Sequence, residues 1–294
     1  MKRRHTKRDL TKIFKERGLR ANRLLGQNFL VDHNVLDFIC KAAGVAEGDI
    51  VFEIGAGTGL LTEHLARMGA TVVAVEIDTN LFEIAREYVG DEPKVSLLCC
   101  DVHGSRRRIN PDAEAALRQA GGGALKVVSN LPYCISTDLL VSLVEMERVI
   151  ERMVLTVQRE FADRLLAAPG SRDYGPLTVL LGAHGRIERL RDLAPAVFWP
   201  VPNVGSSVVR FTRDAERAAQ VADYKRLKAV AAALFSQRRK TAASVLRHAR
   251  LPGLVKKDVS AVLAAAGVGE TARADGLTVA QVVAVSNILS SGGD

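Results

Sequence analysis

Apolar residues come first in short continuous runs, each closed by glycine or a polar residue. Asp49 to Ile54 is one such run, followed by a glycine turn and a helical stripe over Leu60 to Met68 with Leu61 and Leu65 on one face. Ala70 to Ile77 predicts a second strand and Asn80 to Val89 a second helix. Val95 to Cys100 and Leu125 to Ser129 predict two more strands, ending at Asp101 and Asn130. Beyond them the pattern predicts a helix around Thr137 to Glu147, a strand Arg152 to Gln158, a helix Arg159 to Ala167, and strands at Leu177 to Ala183 and Ser207 to Thr212. Past Arg213 only helical periodicity remains, over Ala222 to Phe235, Lys257 to Ala266 and Val279 to Leu289. The expectation is an α/β fold, a Rossmann-like sheet of about seven strands, with a small all-helical C-terminal domain. The boundary is placed near Arg213 to Val221, so that residues 25–213 form the larger domain and 214–294 the helical one.

Length and composition agree, since 294 residues with 48% hydrophobic content can fill two cores. No run approaches the roughly 18 apolar residues of a membrane span, and the N-terminus lacks a signal-peptide core. A cytoplasmic protein with no membrane association is expected, and nothing in the sequence suggests more than a monomer. Cys40, Cys99, Cys100 and Cys134 form no CxxC pair and no array with the six histidines, so no metal site and no disulfide framework are expected.

Charge adds a second layer. The net charge is +8, yet residues 1–25 hold ten lysines and arginines against Asp9 and Glu16, and Tyr224 to Lys257 hold ten more with no acid. The rest of the chain is therefore net acidic. Residues 1–24 read as a basic arm, and the two segments together as an electrostatic footprint for a polyanion such as RNA. The bland alternative is a solvated tail and a solvated helix face.

Two motifs carry candidate chemistry. Gly55, Gly57 and Gly59 are spaced GxGxG, one residue shorter than the dinucleotide fingerprint, which favours a methyltransferase turn over a dehydrogenase one. Glycine lets the backbone approach a cofactor closely. Glu76 ends the next strand about 20 residues on, where a carboxylate can accept ribose hydroxyls, and Asp101 ends the third, placed for an adenine amino group. Glu53 sits before the turn and can brace it. The alternative is a tight strand-to-helix corner with Glu76 and Asp101 as helix caps. The second motif is Asn130-Leu131-Pro132-Tyr133. An arylamine nitrogen is a poor nucleophile, so catalysis needs acceptors for its protons: the Asn130 side-chain oxygen and the Leu131 carbonyl, with Pro132 stiffening the turn and Tyr133 stacking on the base. Together the motifs read as an S-adenosylmethionine-dependent methyltransferase acting on an adenine-like nitrogen.

Four stretches occur in order: Leu25-Gly26-Gln27-Asn28-Phe29-Leu30, the Asn130 tetrapeptide, Phe198-Trp199-Pro200-Val201-Pro202-Asn203-Val204-Gly205-Ser206, and Phe235-Ser236-Gln237-Arg238-Arg239-Lys240. With them the chain resembles the small-subunit ribosomal RNA adenine dimethyltransferases of the KsgA type from about Arg20 to the C-terminus. The resemblance implies that Asn28 and Leu30 complete the cofactor pocket with Gly55, Glu76, Asp101 and Asn130. It also implies that Phe198 faces Tyr133 across a target base taken out of its stack, and that Arg238, Arg239 and Lys240 help engage RNA. The implied reaction dimethylates N6 of two adjacent adenosines near the 3′ end of small-subunit rRNA, within a pre-ribosomal particle. Cys134 stands where Asn or Gln is usual, Gly205 where Asp is usual, and the loop His103 to Ala124 looks longer than usual. A large-subunit rRNA methylase of the resistance type and a non-catalytic assembly factor remain as alternatives.

Overall fold

The computed structural model describes residues 5–22, 25–105, 108–132, 137–249, 251 and 258–291. Its elements run α1 (Lys7–Glu16), β1 (Phe29–Leu30), α2 (His33–Ala43), β2 (Ile50–Ile54), α3 (Leu60–Arg67), β3 (Thr71–Glu76), α4 (Thr79–Val89), β4 (Val95–Cys99), α5 (Pro111–Gln119), β5 (Leu125–Asn130), α6 (Thr137–Val144) and β6 (Ile150–Gln158). They continue with α7 (Arg159–Leu165), α8 (Pro176–Gly182), β7 (Gly185–Leu193), β8 (Phe198–Trp199), β9 (Ser206–Arg213), α9 (Ala215–Ala219), α10 (Tyr224–Phe235), α11 (Ala242–His248), α12 (Val259–Ala265) and α13 (Val279–Ser291).

A seven-stranded sheet is ordered β4-β3-β2-β5-β6-β9-β7, and β1 pairs with β8 in a separate two-stranded ribbon. The pairs β2/β3, β3/β4, β2/β5 and β5/β6 are parallel, and β9 is antiparallel to β6. Residues of β2 and β5 are buried almost throughout, as expected of central strands covered on both faces. Connections run outward from β2 on one side and from β5 on the other, so the crevice for a ligand opens at the carboxyl ends of β2 and β5. The Ser129 hydroxyl accepts from the Ile54 amide at 2.8 Å, tying those two strand ends together.

Contact clustering divides the chain into two units, Met1–Arg159 with Glu188–Thr212, and Glu160–Ile187 with Arg213–Asp294. The expected division at Arg213 leaves out Glu160–Ile187, which cluster with the helical unit. There α10 packs on α8 and α13, and the Tyr174 hydroxyl, fully buried, donates to the Leu277 carbonyl at 2.8 Å.

Two local expectations are corrected. Leu177 to Ala183 is the helix α8 rather than a strand: Pro176 occupies its first turn, and a short apolar run cannot distinguish a buried helix from a buried strand by periodicity. The neighbouring strand β7, with its many charged residues, went unrecognised. The basic arm is also more than a tail. Thr6 and Asp9 form a reciprocal capping box, and Leu10, Ile13 and Phe14 give α1 an apolar stripe, with Leu10 and Phe14 buried. Among the described residues no helix is long and apolar enough to cross a membrane, and no group of three or more His, Cys, Asp or Glu could hold a metal ion.

Candidate active site

The carboxyl ends of β2, β3, β4 and β5 converge on a cavity of about 240 Å³. Asn28, Gly55, Gly57, Glu76, Asp101, Asn130 and Pro132 all line it, so the structure brings together residues from five separate stretches of sequence. Gly55 and Gly57 have φ of 79° and 58°, in the left-handed region. A Cβ on Gly55 would lie 3.1 Å from the Pro132 ring, and one on Gly57 3.2 Å from the Phe29 ring. The proline of the tetrapeptide therefore sits directly over the glycine turn.

Glu76 is 6% exposed, and both of its oxygens are already held: Oε2 accepts from the Gly57 amide at 2.7 Å and Oε1 from the Asp78 amide at 2.9 Å. Burial raises its pKa against these hydrogen bonds. Each oxygen keeps further acceptor capacity toward the cavity. Behind it, Glu53 accepts from the Thr62 hydroxyl at 2.6 Å, and burial pushes its pKa up to about 8, so it braces α3 in its protonated form at neutral pH. Asp101 is exposed, with Oδ1 accepting from the His103 amide at 2.9 Å.

Asn130 closes the site. Its Nδ2 donates to the Asn28 carbonyl at 2.9 Å, while its Oδ1 is buried with no hydrogen-bond partner. An orphaned buried acceptor costs about 1–3 kcal/mol until a donor reaches it.

Other expected site residues fall elsewhere. Leu30 is buried behind the cavity in β1, opposite Phe198. Gly59 caps the start of α3 against Ala85 and Val89 and does not line the cavity. Leu131 is buried, its amide donating to the Thr156 carbonyl at 3.1 Å. Phe198 has no exposed surface: it pairs with Leu30 across the β1/β8 ribbon and packs in the main core cluster. Tyr133 and Cys134 lie outside the described residues. In the helical unit, Arg238, Arg239 and Lys240 line a separate cavity with Arg172 and Asp275, where Arg238 Nη2 donates to the Ser171 carbonyl at 3.0 Å.

Reasoning from the sequence also missed lining residues. Ile77, directly after Glu76, is 51% exposed for a large apolar side chain and lines the cavity, as do Leu81, Val102 and Phe29. An isoleucine at the polar end of a strand is the signal that could have found it.

The model of the family described as ribosomal RNA adenine dimethylase matches residues 18–291. This chain belongs to that family. Among curated proteins it is 38% identical to the ribosomal RNA small subunit methyltransferase A of Geobacter metallireducens, over 92% of this chain and 96% of that one. It is 40% identical to the probable ribosomal RNA small subunit methyltransferase A of Methanopyrus kandleri, over 78% and 77%. Among solved structures it resembles the 23S rRNA methyltransferase ErmE, with TM-score 0.63 and 26% identity over 90% of this chain and 100% of that one. The fold is shared with a dimethyladenosine transferase from Plasmodium falciparum, TM-score 0.72 at 21% identity, over 89% and 97%. This member of the dimethylase family is an S-adenosylmethionine-dependent rRNA methyltransferase. The cavity fits that cofactor: Gly55 and Gly57 leave space a Cβ would fill, Glu76 is a carboxylate for paired hydroxyls, Ile77 and Val102 are apolar walls, and Asn130 Oδ1 awaits a donor.

Proposed function

We propose that this enzyme dimethylates N6 of two adjacent adenosines near the 3′ end of small-subunit rRNA, within a pre-ribosomal particle. The carrying observation is the buried, unpartnered Oδ1 of Asn130 at the cofactor cavity. When bound, S-adenosylmethionine supplies an electrophilic methyl group on a sulfonium, so no covalent protein intermediate is called for. The protein's part is positioning and electrostatics.

Asn130 Oδ1 accepts an N6–H, drawing the amino lone pair out of conjugation and toward the methyl. Its own orientation is held by the bond to the Asn28 carbonyl. Each transfer would exchange one N6 proton, released to solvent, for the methyl of the sulfonium, which would leave as the thioether, so the adenine would offer Asn130 an N–H in both rounds and the dimethylated product none. Pro132 fixes the chain above Gly55, and Tyr133 stacks on the base. Glu76 and Asp101 would hold the cofactor's ribose and adenine, beside the apolar Ile77 and Val102 of the same cavity. Asn28, Gly55 and Gly57 shape the cradle, while Leu30 and Gly59 support it from behind. Arg238, Arg239 and Lys240, on the helical unit over residues 214–294, engage RNA phosphates.

The small-subunit assignment is favoured over a large-subunit one by the curated relatives, named for the small subunit at 38% and 40% identity. The test incubates the protein with labelled S-adenosylmethionine and unmethylated small subunits, then identifies the modified nucleoside and its position. N6,N6-dimethyladenosine at adjacent 3′-proximal adenosines supports the proposal. Label elsewhere overturns the substrate, and no transfer despite cofactor binding overturns the reaction.

A further inference from the structure

Helix α1 precedes the segment matched by the family model, which begins at residue 18. It is nonetheless built against the side chains that wall the cofactor cavity. The Phe14 ring lies 5.6 Å from that of Phe29 and 4.9 Å from that of Trp199. Leu10 and Phe14 form one small apolar cluster with Phe29, Leu81 and Ile84, and two of those partners, Phe29 and Leu81, line the cavity. Ahead of the helix, His5 is 3% exposed and stacks on Tyr88 of α4 at 3.7 Å. At its far end Arg17 pairs with Glu87 of α4.

The contacts continue inward. Phe29 is the ring that a Gly57 Cβ would strike, and the Gly57 amide is the one held by Glu76. A displaced Phe14 would therefore free the Phe29 wall, and a displaced His5 would free Tyr88 of α4, the helix whose Ala85 and Val89 lie against Gly59. Aromatic pairs of this kind contribute beyond their buried area, and they also fix geometry.

We propose that Phe14 and His5 are positioning residues for the cofactor site: docking of α1 holds the Phe29 wall and the Gly57-Thr58 turn in the geometry that binds S-adenosylmethionine. Cofactor affinity is thereby coupled to the order of an N-terminal helix outside the family's common segment. The inference rests on the assignment of this cavity to the cofactor.

The test measures binding of S-adenosylmethionine and S-adenosylhomocysteine by calorimetry, hydrogen exchange of residues 7–16 and 55–59, and steady-state kinetics, in the full chain. Phe14→Ala is expected to raise both Kd values about tenfold, with faster exchange at the glycine turn. KM for the cofactor should rise in parallel, while kcat at saturation stays within about twofold. Phe14→Leu should recover most of the affinity, which general destabilisation of the loop would not predict. His5→Ala, at the edge of the cluster, is the second variant should Phe14→Ala fold poorly, and should weaken binding about threefold. Unchanged Kd values in a variant whose helix exchanges freely would overturn the proposal, as would a fall in kcat at constant Kd. Glu76→Gln serves as the control: if it binds as the wild type does, the assignment of the cavity itself fails, separately from the role of α1.

Discussion

Asn130 donates its side-chain amide to the main-chain carbonyl of Asn28, 102 residues earlier, at 2.9 Å. The bond uses the donor end of the amide and so dictates where the acceptor end points. Two motifs that are remote in sequence are thus tied together, the first fixing the orientation of the Asn130 amide.

Replacing Asn130 by alanine should lower kcat by about 10²–10³, the usual cost of removing one preorganised polar group from a transition state. RNA affinity should remain within twofold by filter binding. Asn130→Asp should be equally poor, because an ionised carboxylate would face the Asn28 carbonyl. Activity in Asn130→Ala equal to wild type would sink the assigned chemistry.

Gly57→Ala places a Cβ at φ +58°, 3.2 Å from the Phe29 ring. The left-handed backbone alone disfavours a side chain by about 1 kcal/mol. Displacing Phe29 also disturbs the amide that Glu76 holds. Calorimetry should show cofactor affinity reduced at least about tenfold, while far-UV dichroism and RNA binding stay near wild type.

Glu53 gives the fold a pH signature. Its folded pKa is raised from 4.5 to about 8 by burial, so the native state keeps a proton that the unfolded chain releases. Stability from this group is therefore full at low pH and declines as pH rises from 4.5 to 8. Glu53→Gln, which mimics the protonated form, should remove that slope. Urea unfolding at pH 5, 6.5 and 8 checks it, and a gap between variant and wild type that does not widen with pH would contradict the assignment.

Charge reversal at Arg238 and Arg239 should weaken binding to small subunits and shallow its dependence on salt. Each lost phosphate contact removes about 0.9 from the slope of log K against log salt for a duplex, and somewhat less for single strands. Binding unchanged across several salt concentrations would refute their role in RNA engagement.

Much of this was legible in order along the chain. The apolar runs closed by Gly55, Glu76 and Asn130 located rim residues because a parallel strand buried on both faces must be continuously apolar and must end where polar chemistry begins, while Asp101 follows the half-exposed edge strand β4. Leu177 to Ala183 was not legible, because a seven-residue, mostly apolar run suits either a helix or a strand until Pro176 and the packing of α8 against α10 decide. Phe198 is a related case: a motif gives order, not direction, and only the structure shows it buried opposite Leu30.

By itself, then, the sequence determined the fold class and the strand-end residues that line the cavity, Asn130 among them, since these follow from local patterns of period, turn and charge. Tertiary structure alone decided that Glu160–Ile187 cluster with the helical unit, that the basic arm carries a helix docked on Phe29, and that Asn28 orients Asn130. Those are choices among partners distant in the chain. They are settled by which apolar faces can be buried together and which polar atoms are left to pair, and neither is encoded in any one segment.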